Sequence, residues 1–206
     1  MTTTMHEPSV REARQPMEHQ WPPQGQWTYE DYRRLPDDGM IYEIIEGELH
    51  MAPAPIPMHQ ENKGNLFAEL RDYGRKHNAG KAYDAPIDVI LPNVAEPVQP
   101  DVLFIVKDRL HIVKPNRIEG APDIIVEVLS PSNWNIDRGK KFRAYAKAGV
   151  REYWIVDPRA RTIELFVLRE GVYDLIGNYS VSATVRSKVL LGFEVKVEEI
   201  CPAPEA

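Results

Sequence analysis

Asp101, Glu127 and Lys141 are the residues whose types, order and surroundings could do chemistry in this chain. Asp101 follows Pro100 and opens the apolar run Val102-Leu103-Phe104-Ile105-Val106. Glu127 sits inside Ile124-Ile125-Val126-Glu127-Val128-Leu129, which reads as a buried strand. A carboxylate in such a run is costly unless a paired base, a full set of hydrogen bonds or a divalent cation meets it. Two carboxylates and a lysine suit metal-assisted cleavage of a phosphodiester, which needs a cation to offset transition-state charge, a positioned water and a route for proton removal. In that reading Asp101 and Glu127 hold Mg²⁺ or Mn²⁺, the Val128 carbonyl adds a hard oxygen ligand, and Lys141 orients or helps deprotonate the water.

Glu43 is the next candidate. Strand alternation puts it with Ile41 and Ile45 on an apolar face, whereas Glu46 and Glu48 flank Gly47 and are easily solvated. It could bind the metal directly or through water, or orient His59, which in turn could contact a phosphate, transfer a proton or simply cap a helix. Each candidate has a structural alternative. Asp101 after proline fits a strand-entry turn, and Glu127 could be satisfied by Arg143 or Lys141. Asp123 reads as a strand-start residue with a minor claim on the site. Ser130 and Ser132 lack a Gly-x-Ser-x-Gly surround and read as turn hydroxyls.

The elements that must position these groups can be read from periodicity and punctuation. Thr28 with Glu30 and Asp31 predicts a short capped helix stopping before Pro36, and Ile41 to Ile45 with Glu48 to Ala52 predicts a hairpin around Gly47. Residues 58 to about 77 carry a helical period ended by Gly80. Ala85 to Leu91, Asp101 to Val106 and Asp123 to Leu129 read as central strands. Asp137 to Ala148 predicts a helix closed by Gly149; Glu152 to Val156 and Thr162 to Leu168 form a hairpin, and weaker strands lie near Val172 to Ile176 and Lys188 to Val195. The expected fold is α+β (α/β), a mixed sheet flanked by helices. Residues 1–25 are polar and read as a tail, 26–200 as one domain, and 201–206 as a C-terminal tail.

Composition bounds the function. With 206 residues and 43% hydrophobic content the chain can bury one good core. Its net charge of −6 argues against a surface coated for non-specific nucleic-acid binding, so a nuclease here must concentrate positive charge locally. The segment Arg138 to Lys147, with five cations, is one such place, and Arg71, Arg75, Lys76 and Lys81 form a second; a solvated helix face is the other reading of both. One cysteine, no apolar stretch near the ~20 residues of a membrane span and no signal-peptide core lead to the expectation of a soluble, cytoplasmic protein.

Taken in order, Val98-Gln99-Pro100-Asp101-Val102, Gly120-Ala121-Pro122-Asp123, Glu127-Val128-Leu129-Ser130-Pro131-Ser132, Asp137 through Lys141, and Gly149-Val150-Arg151-Glu152-Tyr153-Trp154-Ile155-Val156-Asp157-Pro158 resemble the Uma2 family, within the PD-(D/E)XK restriction-endonuclease-like superfamily. Tyr42 to Leu49, and His59 with Asn65-Leu66, also resemble the family pattern, so the likeness spans roughly 27 to 200. The resemblance implies a restriction-endonuclease-like core and a metal-dependent nuclease site. It also implies a departure. The superfamily's lysine stands two residues after the second acid, and Leu129 occupies that position here. Variants with the lysine moved to the next helix match Lys141, and helical spacing puts Asp137, Lys141 and Tyr145 on one face; Lys140 is the fallback.

Three functions follow from these readings. The first is a Mg²⁺-dependent (or Mn²⁺-dependent) endonuclease acting on DNA. The second is a nucleic-acid-binding or structural dimer without efficient catalysis, which Leu129 and the acidic charge favour. The third is a hydrolase of a small phosphorylated molecule. An exposed aromatic hairpin, Tyr153-Trp154 to Phe166, would support a homodimer, with core packing as the other role for those residues.

Overall fold

The computed structural model describes residues 21–130 and 134–203. Thr28 caps helix α1 (Tyr29–Tyr32) in a reciprocal capping box with Asp31, as its spacing predicts. Strands β1 (Ile41–Ile45) and β2 (Glu48–Ala52) pair antiparallel in the expected register around Gly47. A Cβ at Gly47 would come within 2.5 Å of the Gly25 carbonyl oxygen, because the preceding segment is laid against this turn. Gly25 and Trp27 both donate backbone N–H groups to Gly47 O, and the Gln24 side chain bonds the Leu49 backbone in both directions. The packed chain therefore begins ahead of residue 26, since the turn offers backbone acceptors that composition does not reveal; residues 1–20 of the expected tail lie outside the described residues.

Helix α2 (Pro57–His77) opens on proline at its first position and ends on Asn78 in the left-handed conformation, not on Gly80. Gly80 instead starts strand β3 (Gly80–Asp84), where a Cβ would come within 2.1 Å of Ile105 O. The single strand expected over Ala85 to Leu91 is shorter, β4 (Val89–Leu91), and is followed by an unforeseen β5 (Ala95–Val98). Next come β6 (Val102–Val106), a 3-10 helix (Lys107–Ile112), β7 (Ile118–Glu119) and β8 (Ile124–Val128). A π-helical turn (Ile136–Lys141) leads into α3 (Phe142–Ala148), which Gly149 ends at φ 87°. The chain finishes with β9 (Glu152–Asp157), β10 (Thr162–Arg169), β11 (Val172–Tyr179), β12 (Thr184–Arg186), β13 (Glu194–Lys196) and α4 (Val197–Ile200).

A six-stranded mixed sheet, ordered β11-β10-β9-β8-β6-β3, forms the centre, and a five-stranded sheet, β2-β1-β5-β4-β7, packs near it. β8 and β9 are the parallel pair of the central sheet, and the π turn with α3 is the crossover that joins them. Alternation along β8 splits the core. Ile124, Val126 and Val128 face α2, β13 and α4, while Ile125 faces α3 and the second sheet with Leu103, Tyr153 and Ile155. Glu127, two residues from Ile125, is thereby aimed into the layer shared by α3 and β1.

Three expectations need correction in the C-terminal part. Lys188 to Val195 is not one strand, because Glu152 accepts hydrogen bonds from Ser187 Oγ and the Lys188 and Val189 N–H groups and turns the chain there. Tyr153 and Trp154 are fully buried and Phe166 packs against the core, so this hairpin offers no aromatic dimer surface. Cys201 is likewise buried, its N–H bonded to Val197 O and its carbonyl accepting from Arg161 Nε, which carries the packed chain one residue past the expected boundary. Residues 204–206 lie outside the described residues.

Candidate active site

β8 delivers Glu127, the π turn delivers Lys141, β1 delivers Glu43, and the segment entering β6 delivers Asp101. All four line one cavity of about 340 Å³. Lys141 Nζ lies 2.9 Å from Glu43 Oε2, 3.1 Å from Glu127 Oε1 and 3.5 Å from Asp137 Oδ1. Tyr145, one helical turn further on, donates its hydroxyl to Glu127 Oε1 at 2.6 Å. Glu43 accepts the Gln99 N–H on its other oxygen at 2.7 Å. Asp101 Oδ2 accepts the Val128 N–H at 2.8 Å and meets His59 Nε2 at 3.1 Å.

The five residues singled out in the sequence thus converge, though some partners differ from expectation. His59 pairs with Asp101, not with Glu43, because it sits near the start of α2 over the entry to β6. The pairing of Glu127 with Lys141 is present; Arg143 makes no ion pair among the described residues. Lys140 points away and pairs with Glu48 of β2, so the fallback lysine does not enter the cavity. Its neighbours in the basic segment are similarly occupied, Arg138 by Glu164 and Lys147 by Glu46. The expected phosphate-facing cluster is largely a set of ties to the hairpin and to β10. Asp123 is buried among Arg109, Arg151 and the Val106 N–H, a structural anchor outside this cavity. Ser130 lines the cavity, and Ser132 lies outside the described residues.

Three carboxylates, Glu43, Glu127 and Asp137, meet the Lys141 ammonium, and burial makes that imbalance expensive. Burial pushes the Glu127 carboxyl well above its ordinary range; Lys141 pulls it down, and Asp137, Asp101 and Glu43 push it further up. Asp137 is raised to about 7 by burial, opposed by Lys141 and reinforced by Glu43 and Asp101. Burial alone would lower Lys141, but Glu127, Glu43 and Asp137 override it and raise the ammonium well above its usual value. Three carboxylates thus hold the proton on Lys141.

Asp137 and Tyr145 were visible as sharing the Lys141 face but not as members of the site; their i, i+4 spacing with Lys141 was the available signal. Lys63 had none. It is buried within α2, bonded to Ala85 O at 3.0 Å and lying 3.6 Å from Asp84, and it lines the same cavity. Gln99 enters through its backbone, which no side-chain pattern can show.

The donor chemistry fits a hard divalent cation. Every hydrogen bond to Asp101 falls on Oδ2 and every one to Glu127 on Oε1, so Asp101 Oδ1 and Glu127 Oε2 accept none among the described residues. Both oxygens of Glu43 are engaged. Among the described residues no group of three His, Cys, Asp or Glu side chains stands together as a metal site.

The family model described as "Putative restriction endonuclease", Uma2, matches residues 29–198. The chain belongs to the Uma2 family. No curated protein matches it. Among solved structures, a "putative nuclease belonging to DUF820" from Anabaena variabilis is similar at 17% identity with a TM-score of 0.69, over 84% of this chain and 96% of that one. At that identity the likeness concerns the fold, a restriction-endonuclease-like mixed sheet flanked by helices. Among the described residues no helix is long and apolar enough to cross a membrane.

Proposed function

We propose that this Uma2 chain hydrolyses phosphodiester bonds in DNA with a divalent cation, Mg²⁺ or Mn²⁺, held by Asp101 and Glu127. The observation that carries this reading is the convergence of Asp101, Glu127, Glu43 and Lys141 on one cavity with an unbonded oxygen left on each of the first two acids. The Val128 carbonyl is a third oxygen for the cation: the Leu129 N–H is spent on Val156 O, so the carbonyl of the same peptide points the other way, toward Asp101. Bound there, the cation supplies charge stabilisation to the phosphoryl oxygens and acidifies a water.

The remaining roles belong to side chains. Lys141, held charged by Glu43, Glu127 and Asp137, places a fixed positive charge where phosphate charge develops. Glu43 and Asp137 position that ammonium, and the Gln99 N–H fixes Glu43. His59 and the Val128 N–H hold Asp101 with its other oxygen turned free. Tyr145 keeps one oxygen of Glu127 bonded for the same reason. Nicking of supercoiled plasmid with Mg²⁺ or Mn²⁺ tests the reading, with EDTA and Asp101→Ala as controls. Cleavage lost in both controls is expected; wild-type protein that cuts nothing with either ion, or an Asp101→Ala variant that cuts as well, refutes it.

A further inference from the structure

A second cavity, of about 330 Å³, opens beside the acid centre and shares Ile56, His59 and Ser130 with it. The two are therefore contiguous, with His59 as the wall between them. The second is lined further by Leu129, Trp134, Asp157 and Arg159, and it holds none of the three acids, Glu43, Asp101 and Glu127, that line the first. Trp134 is 49% exposed and Ile56 48%, so both present apolar surface at the mouth of this cavity. Trp134 is also not a core residue that failed to pack. Its backbone N–H is tied to Ser130 O at 3.1 Å, and the Arg138 guanidinium lies 5.3 Å from its ring centroid, with Arg138 itself anchored to Glu164 at 2.6 Å. An exposed indole is thus held in one place. Arg159, at the β9–β10 turn, is exposed and has no ion-pair partner among the described residues.

We propose that this second cavity is a nucleobase subsite in which Trp134 stacks an unpaired base of the strand whose phosphate lies at Asp101 and Glu127. The inference rests on the phosphodiesterase reading and deepens it by naming the substrate class, single-stranded or locally opened nucleic acid. A flat aromatic ring, an aliphatic wall from Leu129 and Ile56 and one free guanidinium are the chemistry of sequence-tolerant single-strand binding, in which bases stack and phosphates meet scattered cations. A paired base inside a duplex has no face to offer the ring. The net charge of −6 agrees, because an excess of acids over bases weakens the phosphate contribution and leaves more of the affinity to stacking.

The test measures anisotropy of labelled oligonucleotides in Ca²⁺, comparing a thymidine single strand, the same strand with an abasic position, and a blunt duplex. Wild-type protein should bind the single strand tighter than the duplex. Trp134→Ala should weaken single-strand binding by about 5- to 100-fold, the range of one base stacked on an aromatic ring, and leave duplex binding and the melting temperature unchanged. Trp134→Phe should retain most of the affinity, and the abasic strand should shrink the effect of Trp134→Ala. Equal weakening for strand and duplex, no weakening, or no oligonucleotide binding by wild type overturns the subsite. A protein that prefers single strands through Trp134 yet cuts nothing with Mg²⁺ or Mn²⁺ refutes the nuclease reading alone, and one that nicks plasmid without a Trp134 effect refutes the subsite alone.

Discussion

Asp137→Asn should make the metal-free protein more stable at pH 8, and by clearly less at pH 5. The side chain is buried in the cluster where Glu43, Glu127 and Asp137 share Lys141, and its carboxyl is raised from 3.8 to about 7. A raised acid binds its proton more tightly folded than unfolded, so the stability it contributes is present at low pH and is lost as pH rises from about 4 to 7. The size of that loss follows from the shift and comes to roughly 4 kcal/mol. Asparagine keeps the volume and removes the charge, so it should recover about 2–4 kcal/mol at pH 8, less whatever the 3.5 Å contact to Lys141 gave back. At pH 5 the folded Asp137 still carries its proton while the unfolded one has largely lost it, so only about a third of that loss, roughly 1–2 kcal/mol, separates the two proteins. For a domain of this size the difference corresponds to about 4–16 °C in melting temperature. Thermal or urea unfolding in EDTA at both pH values reads it directly. A variant less stable than wild type at pH 8, or shifted equally at the two pH values, would show that Asp137 is held ionised by Lys141 and that the charge imbalance is not real.

Other expectations follow from the same geometry. Glu127→Gln should weaken Mn²⁺ binding in calorimetry while raising metal-free stability above neutral pH, because burial holds the Glu127 carboxyl high; Asp101→Asn should weaken Mn²⁺ binding with the fold retained, since the amide oxygen can still accept the Val128 N–H. Lys141→Ala should cut cleavage by about 10²-fold or more and cost about 3–5 kcal/mol at neutral pH by stranding buried carboxylates, with plasmid nicking and urea melts as readouts. Lys140→Ala should change stability by less than about 1 kcal/mol in the same melts, as its pair with Glu48 is 37% and 43% exposed. Glu152→Ala should lower stability by about 3 kcal/mol or more and raise proteolysis at residues 187–189, because Glu152 accepts the Ser187 hydroxyl and the Lys188 and Val189 N–H groups.

What the sequence made legible was set by local rules. The Thr28 capping box, the Gly47 hairpin and the apolar run around Glu127 each carry their own signal, and all three stand where that signal put them. Glu43, Asp101 and Glu127 were readable as site candidates because an acid in an apolar run or on an apolar strand face demands a partner. The rest depended on distance in space. Lys63 and Gln99 reach the cavity through α2 and a backbone N–H, neither of which leaves a pattern. The basic run from Arg138 to Lys147 looked free because its acidic partners, Glu46, Glu48 and Glu164, lie in other elements. β3 and β5 were missed since Gly80 and Pro97 read as breakers, although close approach to β6 requires the glycine. For Tyr153 and Trp154 the sequence leaves both a dimer surface and core packing open, because a hairpin in isolation has two faces; here both are buried and core packing holds.

A crystal soaked in Mn²⁺, with the anomalous difference map as readout, tests most directly whether Asp101 and Glu127 share a cation. The account predicts one strong peak between Asp101 Oδ1 and Glu127 Oε2, within about 2.0–2.3 Å of each and facing the Val128 carbonyl, and no such peak in Asp101→Asn crystals. A map with no peak in this cavity, or with the ion bound elsewhere while the Lys141 contacts to Glu127 and Glu43 persist unchanged, would contradict it.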